Sequence, residues 1–280
     1  MGLDLSSVGH RTSPISYEYD FHQTVLYALG VGATRDELDF LYEGRGPLVL
    51  PSFAVIPAYA PVAQLFERTR CDMLKLLHGA QSVRLHRPIP AQGRLETVGE
   101  VAGIYDMKKL AQVLLSTRTT FQGEPLFDTE WTLYIRDEGG FGGPRPPKLD
   151  LPKISSGQEP TFSTTLPTTP EQALLYRLTG DLNPLHADPE FAGRAGFSEG
   201  PILHGLCTFG IVTRALIRHL SSDVRRVRAL GAQFRKPVWP GDAIRTEGYL
   251  TNDGRYALEA YAADRPDPVI TNAWAEVTPS

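Results

Sequence analysis

Apolar residues recur at spacings of three and four through Ile202, Leu206, Phe209, Val212 and Leu216. This period predicts a long helix from about residue 201 to near His219. Gly205, Cys207 and Gly210 interrupt its apolar face. Glycine lowers helix propensity, so something is expected to approach the backbone closely there. Four strand-like runs follow, at 227–234, 243–251, 255–262 and 269–277. Tyr256, Leu258 and Ala260 alternate with Ala257, Glu259 and Tyr261, and Asn252-Asp253-Gly254 supplies a turn, so these runs predict an antiparallel hairpin. The first half echoes them at 82–87, 94–105, 110–121 and 126–135, with Gln122-Gly123-Glu124-Pro125 as its turn. A helix is expected near 51–68, with Pro57 and Pro61 shortening or breaking it. Ahead of the long helix, Thr168 or Thr169 is expected to cap a helix starting at Pro170, and Asp188 one starting at Pro189.

The two halves share more than a plan. Leu26-Tyr27-Ala28-Leu29-Gly30 resembles Leu175-Tyr176-Arg177-Leu178-Thr179-Gly180. Gly79-Ala80-Gln81 recurs as Gly231-Ala232-Gln233, each followed by a basic residue, two prolines and a glycine. Two matches in the same order at nearly the same offset argue for duplication. Leu77-His78-Gly79 and Leu203-His204-Gly205 fall at a different offset and are not equivalent positions. The Gly/Pro-rich stretch from Gly139 to Pro147 holds neither helix nor central strand. The expected organisation is an N-terminal unit over 1–140, a surface linker over 141–160 and a C-terminal unit over 161–280. Each unit is α+β, a buried helix wrapped by an antiparallel sheet (a hot dog). Two of them would pair into one continuous sheet.

Bulk properties narrow the function. The chain has 280 residues and a formal net charge of −4, so no basic surplus argues for nucleic acid. No window approaches ~20 apolar residues, so no membrane span is expected. Cys71 and Cys207 are isolated and match no metal spacing. They read as reduced thiols of a cytoplasmic protein, and no metal or redox cofactor is expected.

The densest chemistry lies between Tyr176 and His186. Pro184 fixes its own φ and pushes Asn183 toward extended geometry, so the turn can aim Asp181, Asn183 and His186 at one cavity. A carboxylate and an imidazole there can relay one proton each. The competing reading makes Asp181 a turn former, Asn183 a helix cap and His186 a surface residue. The first half's equivalent, Leu29-Gly30-Val31-Gly32-Ala33-Thr34, has neither the Asp nor the His. A structural turn would be expected in both copies, whereas a catalytic site is needed once.

Asp181-Leu182-Asn183-Pro184-Leu185-His186, followed by Pro201-Ile202-Leu203-His204-Gly205, resembles the hydratase 2 signature of MaoC-like (R)-specific enoyl-CoA hydratases. The same family supplies a domain of peroxisomal multifunctional enzymes. Pro51-Ser52-Phe53-Ala54-Val55-Ile56, Leu77-His78-Gly79 and Phe234-Arg235-Lys236-Pro237-Val238 extend the resemblance to the double hot-dog type. It implies reversible hydration of a trans-2-enoyl-CoA to a (3R)-3-hydroxyacyl-CoA, with no cofactor. Asp181 and His186 would exchange the protons, Asn183 would orient the water, and the Gly205 amide would bond the thioester oxygen. His78, Gly79, Leu182, Pro184, Leu185 and Phe234 would contact the acyl-CoA. Met107-Lys108-Lys109 departs from the family's Lys-Gly-rich turn, which leaves the CoA contact between Lys108 and Lys109. His204 is read as shaping the site without transferring protons. A broken first-half helix would leave room for medium or long acyl chains. The alternatives are a 3-hydroxyacyl dehydratase acting on carrier-protein thioesters, a thioesterase, and a non-enzymatic thioester-binding subunit. A homodimer is possible in each case.

Overall fold

The computed structural model describes residues 2–262 and 265–279. Its helices are α1 (Phe21–Gly30), α2 (Leu38–Leu41), α3 (Val55–Thr69), α4 (Gln172–Tyr176), α5 (Pro189–Arg194) and α6 (Gly205–His219). The first-half strands are β1 (Ile15–Tyr19), β2 (Leu76–Leu85), β3 (Gly93–Asp106), β4 (Leu110–Phe121) and β5 (Glu124–Arg136). The second-half strands are β6 (Phe162–Pro167), β7 (Val227–Phe234), β8 (Ala243–Leu250), β9 (Arg255–Ala262) and β10 (Pro268–Val277).

Among the described residues all ten strands join one antiparallel sheet in the order β1-β3-β4-β5-β2-β7-β10-β9-β8-β6. Counted outward from the β2–β7 seam, each half repeats the same internal order. Ala80 pairs with Gln233 and Gln81 with Ala232 at that seam. The two Gly-Ala-Gln words therefore lie opposite one another at a pseudo-two-fold axis. The other repeated word meets across the halves as well, with the rings of Tyr27 and Tyr176 6.1 Å apart. This is the tandem hot-dog architecture.

Hairpin chemistry explains the long strands. β4 and β5 join through Gln122 (φ 56°) and Gly123 (φ 80°), the two left-handed positions of a tight hairpin turn. β1 and β6 form the two edges of the sheet and were not expected. Both are short and partly exposed, so their hydrophobic pattern is weak. β2 begins at Leu76, six residues before the expected start at 82, because its first part carries a bulge between His78 and Ala80.

Three helix expectations need correction. Residues 201–204 are not helical; the Leu203 amide donates to the Val238 carbonyl (2.7 Å), and α6 starts at Gly205. α4 starts at Gln172 without a side-chain cap, and the Thr168 hydroxyl oxygen accepts instead from the Gly241 amide (2.9 Å). Asp188 caps α5 as expected, accepting from the Glu190 and Phe191 amides. Finally, Pro57 and Pro61 do not break α3. Pro57 falls in the first turn, where an amide lacks an intrahelical partner anyway. Pro61 lies inside a continuous helix and packs over Gly99 of β3, where an added Cβ would sit 3.2 Å from its ring. A medium- or long-chain preference therefore no longer follows from this helix.

α6 is buried all round from Leu206 to Ile217, including Arg214. β6, β8 and the turn Pro51–Ala54 pack on it. A Cβ at Gly210 would meet Val31 Cγ1 at 2.3 Å and the Tyr27 hydroxyl at 3.0 Å, which is the close approach that its glycine allows. Arg214 reaches across the halves to both carboxylate oxygens of Glu37 (3.2 and 2.6 Å). Residues 141–160 carry no helix or strand, and Arg255 Nη1 fastens them through the Asp150 carbonyl (2.8 Å). No helix among the described residues is long and apolar enough to cross a membrane.

Candidate active site

The turn after α4 and the residue before α6 bring titratable groups together. Asp181, His186 and His204 each bring a side-chain donor atom within 4.8 Å of the others. The Asp181 carboxylate is held from both ends of the molecule. Its Oδ1 accepts from the Asn183 amide (3.2 Å) and from the hydroxyl of Tyr59 on α3 (3.0 Å). The first half thus places a group directly on the second half's carboxylate.

His186 is oriented by the backbone. Its Nδ1 lies 2.8 Å from the Ile202 carbonyl, which only accepts. Nδ1 therefore carries the proton of the neutral ring, and Nε2 is left as a base. Burial pushes the His186 pKa below its ordinary value, against the opposing pull of the Ile202 carbonyl and Asp181. His204 stacks on His186 at 3.8 Å and sends Nε2 to the Asp181 carbonyl (3.2 Å). Burial, then the neighbouring His186, takes the His204 pKa down to about 3.

Gly205 opens α6. The first intrahelical bond there runs from the Thr208 amide to the His204 carbonyl (3.1 Å), so the amides of Gly205 to Cys207 precede the ladder. They form the positive end of a 15-residue helix, next to the His204–His186 stack. A Cβ on Gly205 would sit 3.4 Å from the Phe234 ring, so glycine lets that ring close over the helix start.

The wall opposite is aromatic. His78 stacks on Trp131 at 5.2 Å and 7°, and meets the Phe234 edge at 5.0 Å. Its Nε2 donates to the Ala80 carbonyl (3.1 Å), and desolvation takes its pKa down to about 4. Gly79 is the extra residue of the β2 bulge, with the Tyr134 ring lying where its Cβ would be. Bulges re-aim neighbouring side chains, which suits the turn of His78 toward Phe234.

Other expected residues lie further out. Asn183 points its side-chain oxygen at the Leu185 amide (3.0 Å), capping the turn Pro184–His186, and its NH₂ remains as a donor for a water. Leu182 is 60% exposed and Pro184 is exposed, so both form the outer surface of the loop, with Leu185 half-buried. Lys108 (φ 71°) and Lys109 form the exposed tip of the β3–β4 hairpin. Strand register puts that tip at the same end of the sheet as His78, and neither lysine bonds to the cluster. Tyr59, Trp131 and Tyr176 were missed. Tyr59 and Trp131 reach the second half's groups only through the pairing of the two halves, whereas Tyr176 meets His204 within its own half.

Residues 17–137 match the MFE-2 hydratase 2 N-terminal domain, and residues 153–271 match the MaoC like domain. A protein named 3-hydroxyacyl-thioester dehydratase Y, from Mycobacterium tuberculosis, is 42% identical over 274 residues, covering 94% of this chain and 93% of that one. The chain belongs to the MaoC-like hydratase 2 family. Another relative from the same organism, named enoyl-CoA hydratase ChsH3, is 34% identical over 292 residues and covers 100% of both chains. The crystal structure of a MaoC-like dehydratase from Phytophthora capsici superposes with a TM-score of 0.89 at 26% identity, covering 98% of each chain.

In this MaoC-like chain Asp181, His186 and His204 are close enough to share a metal ion. Their geometry suits one poorly. The two imidazole planes are stacked within 28° of each other, so their in-plane lone pairs do not converge as a tetrahedral site requires.

Proposed function

We propose that this MaoC-like protein is a hydro-lyase that adds water across the C2–C3 double bond of a trans-2-enoyl-CoA. The product is the (3R)-3-hydroxyacyl-CoA, and the same site runs the reverse dehydration. The observation that carries this reading is His186. Its Nδ1 is tied to the Ile202 carbonyl, which leaves Nε2 as the base of a ring that lies close to Asp181 and stacks on His204, the residue before Gly205.

The chemistry follows from those positions. The water oxygen bonds C3 while the Asp181–His186 pair takes one of its protons. The π electrons move toward the thioester oxygen, where the Gly205 amide meets the developing enolate charge. The pair then returns one proton to C2, so the site ends in its starting state. The Asn183 NH₂ supplies a donor for the water. Hydration leaves the carbon pair redox-neutral overall, so the reaction as written draws on no redox group. We propose a cytoplasmic location, supported by Cys71 and Cys207 being free thiols, as in a reducing compartment.

Incubation with enoyl-CoA tests the reading. Absorbance of the conjugated bond should fall with no release of free thiol, and the product should have the 3R configuration. Thiol release with the double bond intact would make the protein a thioesterase and overturn the proposal. Competition between matched CoA and carrier-protein thioesters identifies the preferred carrier.

A further inference from the structure

Beneath the turn after α4, four buried polar atoms find no hydrogen-bond partner outside their own group: Tyr27 Oη and Ser52 Oγ, which face each other, Tyr176 Oη and His204 Nδ1. Their residues are 1%, 0%, 0% and 1% exposed. They form one group. The Tyr27 and Tyr176 rings are 6.1 Å apart, and the Tyr176 and His204 rings 4.9 Å apart. Ser52 lies in the turn Pro51–Ala54, which packs against α6. Each half contributes the tyrosine of its short helix and a residue from the turn that enters its central helix. Buried polar atoms in native proteins are seldom left unpaired, and a cluster of them is the usual setting for internal water.

His204 dictates what such a water must do. The Asp181 carbonyl only accepts, so His204 Nε2 carries the proton and donates to it. The buried ring is neutral, and Nδ1 is then an acceptor that needs a donor. Neither tyrosine hydroxyl nor Ser52 reaches it directly. A water can donate to Nδ1 and still exchange hydrogen bonds with the hydroxyls around it.

We propose that Tyr27, Ser52, Tyr176 and His204 enclose a buried water site whose water donates to His204 Nδ1. That bond fixes the ring so that its Nε2–H holds the Asp181 turn. His204 is thus a positioning residue, and the first half's Tyr27 is linked to the acid/base pair through solvent. The water site stands on geometry alone; its effect on turnover rests on the hydratase reading.

Histidine-labelled ¹⁵N spectra of the full chain at neutral pH test this, together with a crystal structure. His204 should be neutral and protonated at Nε2, with an Nδ1 signal characteristic of a hydrogen-bonded acceptor. An ordered water should lie about 2.7–3.2 Å from Nδ1. Tyr27→Phe and Ser52→Ala should each move the Nδ1 signal. Tyr27→Phe should also lower kcat roughly 2- to 10-fold at unchanged KM, the loss of about one hydrogen bond. A free-imine Nδ1 signal, a protonated Nδ1, or a protein group filling the site would overturn the proposal. So would a signal that neither variant moves. If the wild-type chain hydrates no enoyl-CoA, the functional reading fails while the spectra still judge the water site.

Discussion

After α1 the chain runs Gly30-Val31-Gly32-Ala33, and its carbonyls face donors from the other half. Gln172 Nε2 donates to the Leu29 (3.1 Å) and Gly30 (2.7 Å) carbonyls, Cys207 Sγ to Gly30 (3.3 Å) and Arg214 Nη1 to Val31 (2.7 Å). After α4 the Asp181 carbonyl is instead bonded from within its own half, by His204, and the turn carries the carboxylate and imidazole. The seam shows the same divergence. On one side of the axis the β2–β7 ladder continues to the Arg84–Ala229 pair; on the other it stops at Ala80, where Gly79 bulges and His78 meets Phe234. One end of a symmetric frame is thus sealed by cross-half hydrogen bonds, and the other is held open around titratable groups. The sealed end gives the rigidity that lets the open end hold unpaired amides and bases.

The open end should fail chemically. Asp181→Asn preserves an oxygen acceptor for the Tyr59 hydroxyl but removes the charge and the proton exchange. Enoyl-CoA hydration should fall ~10²–10⁴-fold, with the thermal midpoint little changed. Activity within about tenfold of wild type would remove Asp181 from the acid/base role.

The sealed end should fail structurally. Glu37→Gln leaves the Arg214 guanidinium, only 1% exposed, without its counter-charge. Urea unfolding should show a loss of about 3–5 kcal/mol, the cost of stranding one member of a buried ion pair. A loss below about 1 kcal/mol, the range of surface pairs, would mean that this contact does not lock the halves together.

The two ends differ also in how openly the sequence displays them. The site turn was legible because Asp181, Asn183, Pro184 and His186 stand within six positions, and turn chemistry is local. The duplication was legible because Gly-Ala-Gln repeats at the seam itself. Tyr59 was not, since its partner lies 122 residues away and only the joined sheet brings them together. Pro57 and Pro61 misled because proline's effect depends on where the helix begins and what packs on it, which no window reveals. Ile202 extended the apparent helix because it falls on the three-and-four period, while the Leu203 amide beside it bonds to Val238.

Mild acid should sharpen the contrast between the ends. His78 and His204 are held neutral by desolvation, with pKa values down to about 4 and about 3, against about 6.5 for an exposed histidine. Below pH ~6.5 the unfolded chain takes up protons that the folded chain refuses, so stability falls as pH falls. The His78 part of this loss ends near pH 4 and the His204 part near pH 3, while above about 6.5 both contributions are fully present. The thermal midpoint of the wild type should drop steadily between about pH 6.5 and 4.5. His78→Gln, which cannot titrate there, should drop less over the same interval. Equal slopes for the two proteins would show that His78 is protonated as readily in the fold as outside it. The aromatic wall of Trp131 and Phe234 would then not be desolvating the imidazole.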